Sequence, residues 1–511
     1  MKYSLTLEYA MSADEAYIRK YKLMSIDEKD IKEGDNFDEL LSSLKGSNRI
    51  TLSDLRVDGL FIINFLYKNG YASDEDAKTL KKKYTFNTLI SEANDWYRIC
   101  VKAKHGTIQF ENFTTKMGTT VQDYIKSMHL DDDTNKAICH AIRLLESHKL
   151  DELTIGSACV KEFKRIGYCK SSMCEISKDE EEFIRKSYKG GLCEVLSDEQ
   201  TVEEKITTID MNSMYPYCMY KYPMPAREGR YVTGKCEGEL YIQHFKATVK
   251  LKKGKLPCLQ ENMKFWGCET IYWDKIEATL TSVDMDNMFN NYYVTDIQYI
   301  DGYEYCSVKY QYLSYIEKWY ANKLAAKREG NKSLYYLSKL MLNNLAGKLA
   351  AKKVFSKRII KMTENGMLED SFCTIASKDW YLPAACFITS YARKELCEMA
   401  DILNKEGCRV LYYDTDSLHF TGELKDLSRI DSEKLGFWKV EGTYKKGIYL
   451  KQKVYAEQLE DGKWEYTVAG CPASAKKQLN EDNFKEGTVL KIKQMARVKG
   501  GCIIKDTTFT L

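Results

Sequence analysis

Residues 410–420 read Val410-Leu-Tyr-Tyr-Asp414-Thr-Asp416-Ser-Leu-His-Phe420. Apolar, β-prone residues flank a short acidic segment on both sides, which predicts a β-hairpin with its acids at or near the tip. In extended backbone Asp414 and Asp416 share one face. A second stretch ends in a similar way: Ile206-Thr-Thr-Ile-Asp210-Met-Asn-Ser213-Met-Tyr215-Pro216 is a β-branched strand that stops at an aspartate and enters a turn. If the two strands are neighbours, three carboxylates converge, and a hard divalent cation relieves their repulsion. Two Mg²⁺ ions about 3.5–4 Å apart would then activate a hydroxyl and stabilise a leaving oxygen in phosphoryl transfer.

Between these stretches lies a long helical candidate, Ser333–Ala351. In it Lys339, Asn343 and Gly347 recur every four residues and so place a cation, an amide and a glycine on one helix face. Lysine can hold a triphosphate, and glycine permits close approach. Further on, Tyr449-Leu-Lys451-Gln-Lys453-Val-Tyr455 alternates, so that in one continuous strand Lys451, Lys453 and Tyr455 share a face. The chain is nearly neutral overall, at +3, but its charge is unevenly spread. From Lys318 to Lys361 twelve basic residues face a single acid, Glu329, and a second basic run spans Lys485–Lys505. The first interleaves aromatics such as Trp319, Tyr320, Tyr335 and Tyr336, a pattern that seeks phosphate.

Length and composition remove other classes. At 511 residues, with 44% hydrophobic and 30% charged side chains, the chain can bury several domain cores, and wholesale disorder is excluded. The longest apolar runs, Gly59–Leu66 and Trp380–Ile388, are shorter than the ~20 residues that cross a bilayer. Acids at Glu8, Asp14 and Glu15 interrupt any signal-peptide core, so a cytoplasmic protein without membrane contact is expected. The 17 cysteines form no CxxC, the nearest pair being Cys169 and Cys174, and read as free thiols. Six histidines with no HxxxH give no support for zinc, which leaves carboxylates as metal ligands.

The order of the motifs, Tyr188-Lys-Gly190-Gly191, Asp210-Met-Asn-Ser-Met-Tyr-Pro, Lys339-Leu-Met-Leu-Asn-Asn-Leu-Ala-Gly, Tyr413-Asp-Thr-Asp-Ser and Lys453-Val-Tyr, resembles that of the protein-primed family B DNA polymerases of small bacteriophages. The resemblance extends over nearly the whole chain. It implies a mixed α/β right-hand polymerase (palm, fingers, thumb) behind an N-terminal ribonuclease H-like 3′–5′ exonuclease-type domain. The expected divisions are an exonuclease-like domain over 1–187, palm over 188–220 and 383–474, fingers over 312–350 and thumb over 475–511. Two insertions are expected in the polymerase part, 221–311 to dock the terminal protein and 351–382 for processivity and strand displacement.

By the same resemblance Asp210 and Asp416 bind two Mg²⁺ ions, or Mn²⁺ in their place, with Asp414 alongside. Tyr215 is the gate against a 2′-hydroxyl, with Ser213 beside it at the nucleotide. Lys339 and Lys323 contact the triphosphate, while Asn343 and Gly347 line the new base pair. Tyr188, Gly190 and Gly191 hold template, and Lys451, Lys453 and Tyr455 hold the primer end. The implied partners are primer and template DNA, dNTPs and a terminal protein, handled by a monomer in the host cytoplasm.

The chain also departs from the family pattern. The first exonuclease motif reads Thr6-Leu7-Glu8, without its leading aspartate. The second keeps Asp58 but has Asp54 and Val57 where an asparagine and a phenylalanine are usual. The third is reduced to Leu130-Asp-Asp-Asp133-Thr134, with Thr134 in the aspartate's place, or with Asp131 to Asp133 substituting for it if the register shifts. Glu8 and Asp58 are thus the residual exonuclease acids, and little proofreading is expected. Ala346 replaces a tyrosine of the fingers motif. Two other readings share parts of the pattern: Asp-Thr-Asp also occurs in nucleotide-sugar glycosyltransferases, and a damaged exonuclease suits a noncatalytic DNA-binding scaffold. Neither accounts for Lys339 in ordered company with Asp210 and Tyr215.

Overall fold

The computed structural model describes residues 1–75, 79–166, 173–261, 264–265, 274–352, 354–376 and 381–511. Cys169 lies outside them, as does Trp380 at the start of the second apolar run. The acidic strand and the acidic hairpin are neighbours. Ile206–Met211 pairs on one side with Ser417–Thr421, the return strand of the hairpin, and on the other with Trp438–Tyr444. Arg409–Asp414 and the short strand Cys193–Val195 complete a five-stranded sheet in which every pairing is antiparallel. The β-branched residues set its register: Ile206 and Ile209 are fully buried, and Asp210 is left at the strand end opposite Ser417. The helix Leu382–Lys405, buried along most of its length, packs on the hairpin strands and on the helix Met214–Lys221.

The basic run folds mainly as a helical hairpin, Leu313–Glu329 and Lys332–Leu349. Gly330, at φ 67°, closes the first helix in the left-handed conformation that glycine adopts without strain. The Asn331 side chain then caps the second by accepting from the Leu334 N–H at 3.0 Å. Their inner faces, Tyr315, Ile316 and Trp319 against Leu337, Met341 and Leu342, are buried, and the Tyr315 hydroxyl donates to the Met341 carbonyl at 2.7 Å. Much of the positive charge is locally matched: Lys318 pairs with Glu162, Lys327 with Glu433, Lys357 with Glu75 and Arg358 with Asp370. The phosphate-seeking character is therefore confined to part of the run.

Residues 1–112 build an eight-stranded mixed sheet. Lys2–Met11 runs parallel to Gly46–Leu52, which runs parallel to Gly106–Asn112, and the helices Leu55–Lys68 and Thr134–Ser147 pack on it. The apolar run Gly59–Tyr67 is therefore helical. Between Met224 and Val308 a four-stranded antiparallel sheet carries the helix Ser282–Asn291. Residues 354–376 form one long hairpin. The strands Lys446–Lys451, Val454–Gln458 and Trp464–Val468 join Thr201–Val202 in a separate sheet. Its core, from Ile448 through Ala475 and Phe484 to Leu511, is continuous across residue 474, where a palm–thumb boundary was expected.

One buried ion pair ties three of these parts together. Arg393, on the helix Leu382–Lys405, donates to both carboxylate oxygens of Asp284 in the four-stranded unit. It also donates to the carbonyls of Lys189 and Gly190, at 3.0 and 2.9 Å. Both charged side chains are at most 5% exposed. Removing one member of such a pair strands the other charge in low dielectric, so Asp284→Ala is expected to cost about 3–5 kcal/mol. Asp461→Ala, which breaks an exposed pair with Lys463, should leave the midpoint of the same denaturant titration nearly unchanged.

Candidate active site

The strand pairing brings Asp210 and Asp416 together at one end of the five-stranded sheet. The Met211 N–H donates to the Asp416 carbonyl at 2.8 Å, so the turn of the hairpin sits directly over the end of the acidic strand. Burial pushes the Asp416 carboxyl up to about 7, and the charges of Asp210 and Asp414 add to the effect. Asp210 is raised as well, chiefly by burial, with Lys439 opposing. Part-buried oxygen ligands that repel one another are the donor set of a hard divalent cation. Among the described residues no cluster of three or more such ligands is assembled. The site is a pair rather than a triad.

Asp414 is the missing third. Thr415 adopts φ 57°, so the chain turns between the two aspartates and they do not share a strand face as the extended reading predicted. The Asp414 carboxylate instead accepts from Lys453 Nζ at 2.7 Å and from the Tyr412 hydroxyl at 3.4 Å. A second correction follows from the same kind of turn. Lys451 ends one strand, Val454 begins the next, and Lys453 sits in the tight turn between them at φ 58°. Lys451, Lys453 and Tyr455 therefore do not line one strand face. Lys451 is exposed, Lys453 faces Asp414, and Tyr455 packs among Tyr412, His419 and Tyr449 with ring centroids 4.9–5.8 Å away.

Around the carboxylate pair the chain is held tightly. Ser213, at φ 53°, is a left-handed non-glycine residue at the start of the helix Met214–Lys221, and its hydroxyl accepts from Lys323 Nζ at 3.1 Å. The next turn presents Tyr215, half-buried, its hydroxyl pushed up to about 12 by burial. Asn212 anchors the loop that follows the hairpin through the Asp431 and Lys434 carbonyls. Opposite, Lys339, Asn343 and Gly347 form an exposed row on the helix Lys332–Leu349, as their spacing predicted, and Lys339 and Asn343 line a cavity of about 610 Å³. Nothing stands within 4 Å of where a Cβ on Gly347 would lie. Ala346 is turned into the core at 6% exposure, away from that row. Lys323 is pushed down to about 8 by burial and then by Lys439 and Lys339.

The Tyr188–Gly191 segment meets the hairpin directly. The Thr415 N–H donates to the Leu192 carbonyl at 2.7 Å, and a Cβ on Gly191 would lie 2.1 Å from Thr415 Oγ1. Gly190 is open, and Tyr188 packs against the main core. In the N-terminal domain the residual acids have different surroundings. Glu8 lines a polar pocket with Thr6, Lys20 and Lys22, whereas Asp58 is buried, accepts from the Tyr9 hydroxyl and is raised to about 7 by burial. Thr6 accepts from Asn135 at 2.9 Å, so Asn135 rather than Thr134 faces the first motif. Asp133 is spent as a helix cap, as is Asp54.

Sequence reading missed Lys439, Glu441, Asn212 and Arg393. Lys439, Arg393 and Asn212 act through partners distant in the chain, Asn212 from within the Asp210 motif, and Glu441 acts on its strand neighbour Lys439.

A carboxylate pair at the end of an antiparallel sheet, faced by a lysine-bearing helical hairpin, defines a right-hand polymerase that transfers nucleotides. The family model of type B DNA polymerases, organellar and viral, matches residues 145–434. The DNA polymerase of Bacillus phage phi29 is 30% identical over the whole of this chain and 98% of its own length, and that of Streptococcus phage Cp-1 is 26% identical over 90% of this chain and 87% of its own. The solved structure of phi29 DNA polymerase with primer-template DNA and incoming nucleotide superposes with a TM-score of 0.88 at 27% identity, covering 100% of this chain and 99% of that one. The chain belongs to the type B DNA polymerases, in their protein-primed phage group, and is a DNA-directed DNA polymerase. The family as a whole depends on divalent metal.

Two outcomes follow from the geometry. Gly191→Ala drives a methyl into Thr415 and should lower extension about tenfold or more, as overpacking of 1–3 kcal/mol at the catalytic turn would. Adding Thr415→Gly, which removes the clashing atoms and suits the positive φ, should restore part of it; absence of rescue would separate Gly191 from the turn. For Lys323 the sign is fixed by its lowered pKa. Below about pH 8 the ammonium is already charged, and above it a phosphate held by Lys323 would bind only with uptake of a proton. The Michaelis constant for dNTP should be flat below pH 8 and rise above it, and Lys323→Gln should abolish that rise.

Proposed function

We propose that Asp210 and Asp416 hold the two Mg²⁺ ions of a DNA polymerase that extends a primer 3′-hydroxyl or, at initiation, a hydroxyl of a terminal protein. The observation that carries this reading is the pairing of the strand Ile206–Met211 with the hairpin, which sets the two carboxylates side by side across from Lys323 and Lys339. When bound, the ions acidify the attacking hydroxyl and stabilise charge on the leaving pyrophosphate.

The chain's own residues do the rest. Lys323, Lys339 and Ser213 take the triphosphate, and Tyr215 closes the space beside the sugar, so that a ribonucleotide is refused. Asn343 and Gly347 bound the nascent pair. The open backbone at Gly190, the ring of Tyr188 and the close-packed Gly191 guide the template. Lys453, drawn off Asp414 by a backbone phosphate, holds the primer terminus with Lys451, while Tyr455 sets the turn from below.

The architecture suits fingers at 312–350, a terminal-protein-docking insertion at 221–311 and a DNA-encircling insertion at 351–382. The palm comprises 188–220 and 383–474 and the thumb 475–511, the two sharing a core that runs from Ile448 to Leu511. One chain carries every residue invoked, as a monomer would require. No helix among the described residues is long and apolar enough to cross a membrane, and a host-cytoplasmic site of action fits a phage-type replication enzyme. Proofreading is weak or absent, because the Asp58 carboxylate is taken by Tyr9 and Thr6 supplies no carboxylate.

The deciding experiment extends a primed template with Mg²⁺ and dNTPs, using the wild-type protein and Asp416→Ala, with a matched and a mismatched 3′ end. Extension by wild type alone, with the mismatched end left intact, supports the assignment. Equal extension by Asp416→Ala would overturn the metal assignment, and rapid trimming of the mismatch that Asp58→Ala abolishes would overturn the proofreading claim.

A further inference from the structure

The strand Trp438–Tyr444 places a third ammonium at the carboxylate pair. Lys439 lies directly across from Asp210 in the β-register, with Nζ 3.5 Å from Asp210 Oδ1, and its other contact is the Glu441 carboxylate on the same strand. It is 30% exposed, so the ammonium is neither locked in the core nor free in bulk solvent. It is also close enough to Lys323 for its charge to act there, as Lys339's does, Lys439 being the larger influence on Lys323 after burial. Three ammonium groups converging on one small space oppose each other unless an anion enters. Lys323 meets this with a neutral hydroxyl, Ser213, and Lys339 is exposed toward the cavity. Lys439 meets it by lying on Asp210.

We propose that Lys439 is a third phosphate-binding residue of the polymerase centre, parked on Asp210 in place of metal until the metal-bound nucleotide enters, and then turned onto the triphosphate. The inference rests on the assignment of Asp210 as a metal ligand and goes beyond it. A divalent cation outcompetes a single ammonium for a carboxylate pair, because it carries twice the charge and accepts several oxygens. The displaced ammonium sits on a flexible four-carbon stem beside two other cations, and the polyphosphate supplies the oxygens it has lost. Parking also keeps the carboxylate pair partly neutralised before substrate arrives. The two roles have opposite signs for the two ligands. In the empty site Lys439 competes with metal, and in the loaded site it attracts nucleotide.

The opposite signs make the test specific. Mn²⁺ binding to the protein without DNA is measured by electron paramagnetic resonance, and dNTP binding to the protein with primer-template in Ca²⁺ by gel retardation of the ternary complex. Lys439→Gln is expected to tighten Mn²⁺ binding about threefold or more and to weaken dNTP binding about tenfold, the loss of one charge-assisted contact. Lys439→Arg, which keeps the charge, should stay near wild type in the nucleotide measurement. Nucleotide affinity of Lys439→Gln within twofold of wild type would overturn the proposal, as would weaker Mn²⁺ binding, which would make Lys439 a structural support of Asp210. Lys339→Gln distinguishes the two levels. If it loses nucleotide while Lys439→Gln does not, the proposed active site stands and the inference fails; if wild type forms no ternary complex, the site assignment itself fails.

Discussion

Two like-charged carboxylates held side by side in a partly buried place are the constraint on which this molecule is arranged. Asp210 and Asp416 would separate if either stood on a mobile loop. Instead Asp210 stands near the end of a strand and Asp416 in the tight turn of the hairpin paired with it, and the Met211–Asp416 hydrogen bond closes the gap between them. The cost appears as raised carboxyl pKa values, and the surrounding cations answer it. Lys439 takes Asp210, Lys453 takes Asp414, and Lys323 is lowered by burial and then by the neighbouring Lys439 and Lys339. The electrostatics of the carboxylate pair are built into the backbone pairing.

What was readable in the chain was whatever depends on neighbours in sequence. Alternation and β-branching located the acidic strand and the hairpin, and four-residue spacing put Lys339, Asn343 and Gly347 on one exposed row. The errors arose at left-handed residues that are not glycine. Thr415 and Lys453 each take a positive φ in a tight turn, and no composition rule marks a threonine or a lysine for that. Extended-strand reasoning therefore assigned Asp414 to Asp416 and Lys453 to Tyr455, whereas the turns face Asp414 and Lys453 toward each other. Lys439 and Arg393 were beyond reach for another reason: their partners are a cross-strand neighbour and a helix over a hundred residues away. Contacts of that separation are set by tertiary packing alone.

In the N-terminal domain Thr6 and Asp58 are engaged by the scaffold itself. The Asn135 amide donates to the Thr6 hydroxyl, and Tyr9, stacked on Phe61 at 3.8 Å, donates to Asp58. A buried carboxylate with a hydroxyl donor is a stable element of a core and needs no metal. The sheet around it meanwhile carries load from elsewhere. Its core includes Ile360 and Leu368 of the long hairpin and Cys502 of the C-terminal hairpin.

Those contacts explain why the domain is retained. Lys357 of the long hairpin is buried against Glu75, the Ala16 N–H donates to the Lys499 carbonyl at 2.9 Å, and Gly500 and Gly501 lie where any side chain would strike Ala16 or Phe61. The C-terminal hairpin in turn reaches the long hairpin through Arg497 and Asp370 at 2.7 Å. Three segments far apart in sequence thus close on one another through the N-terminal sheet. Losing that sheet would expose apolar surface on both hairpins and leave Lys357 without its carboxylate, so fold stability preserves the domain independently of any chemistry at Asp58.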